Sequence, residues 1–249
     1  YFNNRLSLSL RTTEKKYNYS VGLAVQPATI ESNSFTANKI SYTQHIVNYY
    51  PVVRFAYNFS KSRSFNVNYN GNTSQPTYQQ LQPVYDYSNR QNIVIGNPSL
   101  RPEFTNTFSM RYNNFDFISG NVFFGNLSTS FAKDKIVSNV IPKGAFQETR
   151  YLNAGGYYNV NAFYTISKPV QNRKYVFNYG GTANYNNNIS YLNFNKNTGR
   201  NVLVSQRFSM DYKLKKWLET SGGTNYTLNG ARYSLTPTAN SSIKIWSLT

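Results

Sequence analysis

The stretch that decides the fold is residues 53–112, VRFAYNFSKSRSFNVNYNGNTSQPTYQQLQPVYDYSNRQNIVIGNPSLRPEFTNTFSMRY. Two runs of alternating aromatic and aliphatic residues open it, 53–59 and 65–69, and only 61–63 separates them. Because successive side chains of a strand point to opposite faces, this pattern predicts a β-hairpin with a tight turn. A long polar connection over 75–101 follows, and then the alternation resumes. Short turns, long connections and aromatic strands are typical of a membrane-spanning β-barrel.

The end of that connection carries a family resemblance. It contains Pro76 and then QLQP at 80–83, and it closes on GNPSLRPE at 96–103. In this order, and after the hairpin, these residues resemble the outer-membrane β-barrel family of Bacteroidota TonB-dependent receptors, closely over roughly 40–130 and elsewhere by strand pattern alone. Physically, glycine and proline here fix the backbone where a loop re-enters a strand. The residues that carry the resemblance are Gly96, Asn97, Pro98, Leu100, Pro102 and Glu103.

The resemblance implies a receptor for nutrient uptake in the outer membrane of a Gram-negative bacterium. In such a receptor a plug fills the barrel, TonB pulls on the plug from the periplasm, and a surface lipoprotein can form a lid. This sequence contains no plug and no TonB-contacting segment, so energy coupling is implied by the resemblance only. A structural or assembly subunit of a larger outer-membrane secretion or insertion complex is the alternative, and the N-terminal part of the full-length protein would discriminate the two.

The composition favours a barrel in lipid over a soluble sheet protein. Aromatic residues make up 17% of the 249 residues, with 23 Tyr and 17 Phe, whereas charged residues make up only 14%. A soluble sandwich usually carries more charge on its outer face. No apolar run is long enough for a transmembrane helix, which is expected if the chain crosses the membrane as strands.

The net charge of +17 fits a general solvated basic surface, or an anionic partner other than a nucleic acid. Lys and Arg are dispersed along the chain and no nucleic-acid-binding motif is present, so we expect no nucleic acid partner. Outer-membrane lipid and lipopolysaccharide are the better electrostatic partners. Cysteine is absent, which is compatible with an oxidising compartment.

The pattern predicts an all-β, antiparallel, up-and-down transmembrane β-barrel. We count about eleven strands of about ten residues or more, the length that a tilted strand needs to cross hydrocarbon. About eleven strands would form part of a family-sized barrel of about 22, so we expect residues 1–249 to be part of one barrel domain within a longer polypeptide. Predicted short turns lie at 12–15, 61–63, 115–119, 166–173 and 214–217, predicted long loops at 28–49, 75–102, 133–150 and 187–199, and an exceptional tight turn at Asn229-Gly230.

Alternation also assigns residues to the two faces of the strands. The expected lumen-facing residues are Arg5, Arg11, Arg54, Asn66, Asn68, Arg111, Asn178, Asn184, Arg207, Asp211, Glu219, Arg232 and Lys244. Arg54, Arg111 and Arg207 are candidate ligand contacts, since guanidinium groups bind anionic and hydroxyl-rich solutes, although any large barrel has a polar lumen. Tyr78, Tyr85 and Tyr87 are candidates on the outer loop, where they could contact a ligand or pin the loop to itself.

Catalytic chemistry has no support in the sequence. His45 is the sole histidine, it lies in a predicted outer loop, and no nucleophile arrangement or metal-ligand spacing surrounds it. We therefore expect no enzyme activity, no catalytic or metal-binding residues and no cofactor.

Overall fold

The computed structural model describes residues 4–33, 41–215 and 217–249. Within them the chain forms one 15-stranded sheet, together with one four-residue helix and one three-residue 3-10 helix. The strands are β1 Leu6–Thr13, β2 Tyr17–Asn33, β3 Ser41–Ser60, β4 Arg63–Ser74, β5 Tyr85–Asp86, β6 Asn92–Ile95, β7 Glu103–Phe115, β8 Val122–Lys133, β9 Lys135–Lys143, β10 Phe146–Ala154, β11 Tyr157–Val170, β12 Tyr175–Leu192, β13 Asn195–Lys215, β14 Leu218–Tyr233 and β15 Ser241–Leu248. Helix α1 is Tyr78–Leu81 and the 3-10 helix is Pro237–Ala239.

Most strands form one antiparallel meander, which we call the wall. It runs in the order β1, β2, β3, β4, β7, β8, β11, β12, β13, β14 and β15, and each strand pairs with the next. Among the described residues, β1 and β15 each pair on one side only. The all-β, antiparallel expectation is thus confirmed, while the sheet has more strands than predicted because β5, β6, β9 and β10 form within two of the long connections.

The hairpin that opens the deciding stretch is present as predicted. Val53 lies opposite Tyr69 and Phe55 lies opposite Val67, and β3 and β4 are joined by a tight turn at 61–62. The other short turns also fall where the pattern placed them, at one end of the wall. Because long loops of such barrels face outside, we call the end with the long connections the outer end.

Three predicted loops at the outer end are wrong. Over 28–49, β2 continues to Asn33 and β3 begins at Ser41; only 34–40 lies outside the described residues. The predicted loop over 133–150 contains the hairpin of β9 and β10, and that over 187–199 is the continued pairing of β12 with β13. Alternation fails as a signal here because both faces of a strand meet water beyond the bilayer, while the backbone ladder continues.

The predicted tight turn at Asn229-Gly230 is also wrong. Both residues lie inside β14, where Asn229 is paired with Leu203 on one side and Ile243 on the other. The connection to β15 instead follows Tyr233 and includes the 3-10 helix. Asn-Gly is a local turn signal, and pairing on both sides of the strand outweighs it here.

The register separates the two faces of the wall. One row on the apolar face joins Leu10, Val21, Val53, Tyr69 and Phe108 as directly opposed partners. The parallel row on the polar face joins Arg54, Asn68, Ser109 and Ser128. Most of the expected lumen residues share this polar face, so the predicted division of the strands into an apolar and a polar side is confirmed.

Two of the expected lumen residues lie on the other face. Arg232 is directly opposite Arg200, and Lys244 is directly opposite Leu228, and both pairs belong to the apolar side. The misplaced turn is the cause, since a side chain's face follows from counting by two along an uninterrupted strand. If a turn is placed at 229–230, the alternation of faces after it is shifted by one residue, and each later side chain is assigned to the wrong face.

The strands are progressively staggered across the wall. The row that begins at Tyr17, the first residue of β2, reaches Tyr112 near the end of β7. Tyr112 is close to the last residue of β7. In the same row, Tyr164 lies further from the last residue of β11, and Gln206 lies further still from the last residue of β13. A stagger that accumulates in one direction is the geometry of strands that tilt around a barrel axis.

Candidate functional site

The polar face of the wall contains all three candidate arginines, and all three are exposed. Arg54 lies on β3, and Arg111 lies two strands away on β7, one polar-face row nearer the short-turn end. Arg207 lies on β13, four strands beyond β7 in the sheet. The structure therefore brings Arg54 and Arg111 into one neighbourhood and places Arg207 in another.

Arg207 borders a depression of about 460 Å³ on the polar face. Gly180 is directly opposite it on β12, and Asn225 is directly opposite it on β14, so the missing side chain of the glycine leaves room beside the guanidinium. Hydroxyl and amide groups surround the space, from Thr165, Asn178, Thr182, Ser205 and Ser209. Among the described residues Arg207 forms no ion pair, so its donors are available to a hydroxyl-rich or anionic solute.

Arg111 belongs to a small aromatic cluster that the sequence pattern missed. Its guanidinium lies 5.8 Å from the ring centroid of Phe124, and the Phe124 ring lies 5.7 Å from that of Phe163. Both phenylalanines lie on the polar face, where apolar rings are unusual. The signal available in the sequence was the doubled Phe123-Phe124, because two adjacent residues of a strand must face opposite ways.

The outer connection between β4 and β7 is folded around two buried leucines. Leu81 at the end of α1 and Leu100 of the GNPSLRPE segment are only 1% and 0% exposed. A capping box between Thr77 and Gln80 starts the helix, with Thr77 N–H donating to Gln80 Oε1 at 2.9 Å. The GNPSLRPE segment (96–103) then packs back against this turn, so the predicted long loop is an ordered unit.

Gly96 is required where the segment approaches the helix. Its N–H donates to the carbonyl oxygen of Gln82 at 3.0 Å, and the next N–H, of Asn97, donates to that of Gln80 at 2.6 Å. A Cβ at position 96 would lie 2.4 Å from Gln82 O, which is backbone and cannot rotate away. Close backbone approach, and not a positive φ, therefore explains this glycine.

The rest of the segment fastens the connection to the neighbouring one. Asn97 Nδ2 donates to Tyr151 O at 3.0 Å, and Asn153 bonds to both the N–H and the carbonyl of Arg101, at 2.8 and 2.9 Å. Arg101 also forms an ion pair with Asp134 at 2.5 Å.

The remaining family residues of the segment are Pro98, Pro102 and Glu103, and they lie beside β10, before β7 and against the start of β9. Pro98 lines a cavity of about 320 Å³ beside β10, and Pro102 is half-buried before β7 begins. The carboxylate of Glu103 accepts from the Ile136 N–H at 3.3 Å and pairs with Lys135 at 3.4 Å. The six family residues thus lie in the segment that joins two outer connections. We call the bonds of Asn97, Arg101 and Glu103 to the β8–β11 connection the clasp.

The three candidate tyrosines lie on the outer connection with exposed rings. Tyr85 and Tyr87 stack on each other with centroids 5.8 Å apart, yet they remain 44% and 61% exposed. Tyr78, at the start of α1, is 52% exposed. Asp86 lies between the two tyrosines in sequence. Its carboxylate accepts a hydrogen bond from the backbone N–H of Ser88, which lowers the pKa of the carboxyl group. Their role as ligand contacts stays a prediction.

The described residues offer no metal centre. No group of three His, Cys, Asp or Glu side chains in them is arranged to hold an ion. The His45 ring lies on β3, where its Nδ1 is 3.1 Å from Thr29 Oγ1 across the β2–β3 pair. In this part of the chain, no helix has the length and apolar character needed to cross a membrane.

Comparison with known proteins places the fold. A family model described as "Outer membrane protein beta-barrel family" matches residues 7–245. Among solved structures, the copper transporter OprC superposes with a TM-score of 0.53 at 9% identity, over 96% of this chain and 43% of that one. The siderophore receptor PirA from Pseudomonas aeruginosa gives 0.45 at 13% identity, over 99% of this chain and 56% of PirA. A search of the curated proteins found no match.

Proposed function

The chain belongs to the outer membrane protein beta-barrel family, and from this premise we propose that it forms part of the wall of a TonB-dependent receptor that takes up a nutrient. Family membership and fold together show that this is an outer-membrane β-barrel chain with the fold seen in OprC. It spans less than two thirds of the length of either solved structure it resembles, so the activity of the whole protein is the proposal.

The observation that carries the proposal is the continuous polar face of the wall. Rows such as Arg54, Asn68 and Ser109 cross successive strands. Outer-membrane barrels of all sizes have polar interiors; side chains fill the interior of an eight-stranded barrel, whereas a barrel of many more strands encloses water or a plug. The eleven strands of the wall already outnumber those of such a filled barrel, so their polar face supports a wide lumen, and the depression beside Arg207 gives this lumen a place for a hydroxyl-rich or anionic solute.

The partners follow from the same proposal. TonB would act through a plug region, lipopolysaccharide would surround the apolar face, and a surface lipoprotein would cover the outer connections. OprC is a copper transporter and PirA is a siderophore receptor, and neither name assigns a substrate to this chain. Placement of the protein in Bacteroidota stays a prediction.

Uptake in the native host tests the proposal. Strains that lack the full-length gene, or are depleted of TonB, are grown on a complex medium whose soluble components are followed by mass spectrometry. The same solute should remain undepleted in both strains, and Arg207→Gln should reduce its uptake at unchanged surface abundance, whereas Arg63→Gln, at the first residue of β4 next to a short turn, should not.

Two outcomes would overturn the transport proposal. One is unchanged depletion of every solute in the deletion strain. The other is purification of the protein in a stoichiometric complex with secretion or insertion machinery, whose assembly then fails in the deletion strain; this would favour the assembly role.

A further inference from the structure

Two arginines face each other on the side of the wall that meets lipid. Arg200 of β13 and Arg232 of β14 are directly opposed partners, which places their Cβ atoms about 4.5–5.5 Å apart. The next outward partners in β13 and β14, Val202 with Gly230 and Val204 with Leu228, place this pair on the apolar face. Like charges directly opposite each other destabilise a strand pair, so this arrangement calls for a reason.

Neither arginine is neutralised by the described protein. Both side chains are exposed, and none of the ion pairs among the described residues includes them. Strands β11–β14 contain only two carboxylates, Asp211 and Glu219, and both lie on the polar face toward the short-turn end. The pair is therefore a site of uncompensated positive charge.

The depth of the pair coincides with the outer boundary of the hydrocarbon. Below Arg200, the apolar face of β13 runs from Val202 to Tyr212. At about 3.4 Å per residue this is about 34 Å of strand, which a tilt of about 40° reduces to about 26 Å of height. The apolar band of such barrels is about 25 Å tall, so Arg200 and Arg232 lie at the level of the lipid headgroups.

The surroundings fit an amphipathic lipid headgroup. Arg200 is directly opposite Asn187 on β12, and Asn187 is opposite Tyr158 on β11. The Tyr158 ring stacks on that of Tyr185 with centroids 5.6 Å apart, and such rings place an apolar body in lipid and a hydroxyl at the interface. Asn187 Nδ2 donates to Gly156 O at 2.6 Å, and the two guanidinium groups are the positively charged donors at this level.

We propose that Arg200 and Arg232 clamp a phosphate group carried by a lipid of the outer leaflet. A phosphate between the two guanidinium groups removes their repulsion and accepts hydrogen bonds from both planar forks. The inference rests on family membership and on the register, and it does not depend on transport.

Native mass spectrometry of the full-length protein in detergent tests the clamp. The probes are bisphosphorylated lipid A and the same lipid with its phosphates removed. The parent should retain one lipid A molecule that the Arg200→Gln/Arg232→Gln variant binds at least about tenfold more weakly, the effect of losing charge-assisted hydrogen bonds. The phosphate-free lipid should bind the parent as weakly as it binds the variant.

The matched control is Lys61→Gln/Arg63→Gln, which removes the same charge from an exposed turn at the opposite end. It should bind lipid A as the parent does. Arg200→Lys/Arg232→Lys keeps the charge without the forks and should give an intermediate loss. The proposal would be overturned if the parent and the glutamine variant retained lipid A equally, or if the parent bound the phosphate-free lipid as tightly as lipid A. If millimolar inorganic phosphate displaced lipid A, the site would bind free phosphate and not specifically a lipid phosphate.

Thermal unfolding gives a second readout that a merely structural role would not produce. In lipid-free detergent Arg232→Gln should leave Tm unchanged or raise it, because a repulsion is removed. With lipid A added, the parent should gain more Tm than the variant. A variant that is less stable than the parent to the same degree in both conditions would contradict the clamp.

Discussion

Replacing Phe108 with arginine tests the assignment of the two faces of the wall. Phe108 lies on the apolar face of β7, midway along the apolar positions between Phe104 and Tyr112, so its side chain is expected near the bilayer midplane. The ring packs at a tilt against Tyr69, with centroids 4.6 Å apart, and stacks on Phe131, with centroids 6.1 Å apart.

The magnitude has two parts. Arginine on the lipid face of a barrel costs about 2–4 kcal/mol at the midplane. Each lost aromatic pair costs a further 0.5–1.5 kcal/mol or so. Phe108 has two such pairs, so we expect Phe108→Arg to lower the free energy of unfolding by about 3–7 kcal/mol, and Phe108→Ala, which loses the ring contacts without adding a charge, by about 1–3 kcal/mol.

The assay is urea-dependent folding of the full-length protein into lipid vesicles, followed by tryptophan fluorescence and by the heat-dependent gel shift of folded barrels. Ser109→Arg is the matched control, since this neighbour in sequence lies at the same depth on the polar face. It should change stability by less than about 1 kcal/mol. Equal stabilities for Phe108→Arg and the parent, or a greater loss in Ser109→Arg, would refute the assignment.

Three further outcomes follow from the connections. Gly96→Ala forces a Cβ against Gln82 O, so hydrogen exchange in the outer connection should accelerate while the wall's unfolding in urea is unchanged; unchanged exchange would contradict the close approach. Asn153→Ala removes three hydrogen bonds and should weaken the same region by about 1–3 kcal/mol in hydrogen exchange, whereas unchanged exchange would show the clasp to be dispensable. Hydrogen bonds from the Ser119 hydroxyl and the Ile118 N–H lower the pKa of Asp116 from its ordinary value, so the protection of the Ile118 amide should persist in mild acid and fall as pH decreases through the folded pKa. Loss already near pH 5, or equal protection in Asp116→Asn, would refute this.

The wall was predictable because lipid on one side and polar surroundings on the other impose a period of two. That physical asymmetry is why the register of Phe55 with Val67 could be read from residues alone. Beyond the bilayer both faces meet water, the asymmetry disappears, and β9, β10 and the outer parts of β2, β3, β12 and β13 carried no signal. The turn misplaced at 229–230 has another cause, the local Asn-Gly signal that pairing on both sides of β14 outweighs, and it also misplaced the face of Arg232.

The candidate site was predictable in its residue types and not in its grouping. Arg54, Arg111 and Arg207 could be assigned to the polar face by counting along their strands, but which of them share a neighbourhood depends on the order of strands in the sheet. The ring of Phe124 beside Arg111 and the absent side chain of Gly180 beside Arg207 are cross-strand relations, and the pairing register that creates them is not local in sequence.

The GNPSLRPE segment, which carries the family resemblance in the sequence, lies at a junction between two outer connections. Beyond Asn187 the wall strand β12 exchanges its neighbour β11 for β9, so the β8–β11 connection continues the sheet outward as β9 and β10. The segment lies along β10 and is held there by Asn153, which fixes the β4–β7 connection to this extension. Ordering two long outer connections against each other costs backbone entropy that few apolar contacts offset, so the hydrogen bonds at this junction are needed to hold the two connections together. Tyr85 and Tyr87 take no part in the hydrogen bonds to Asn153 and keep their rings exposed, so the clasp leaves them free for the ligand contact that the sequence predicts.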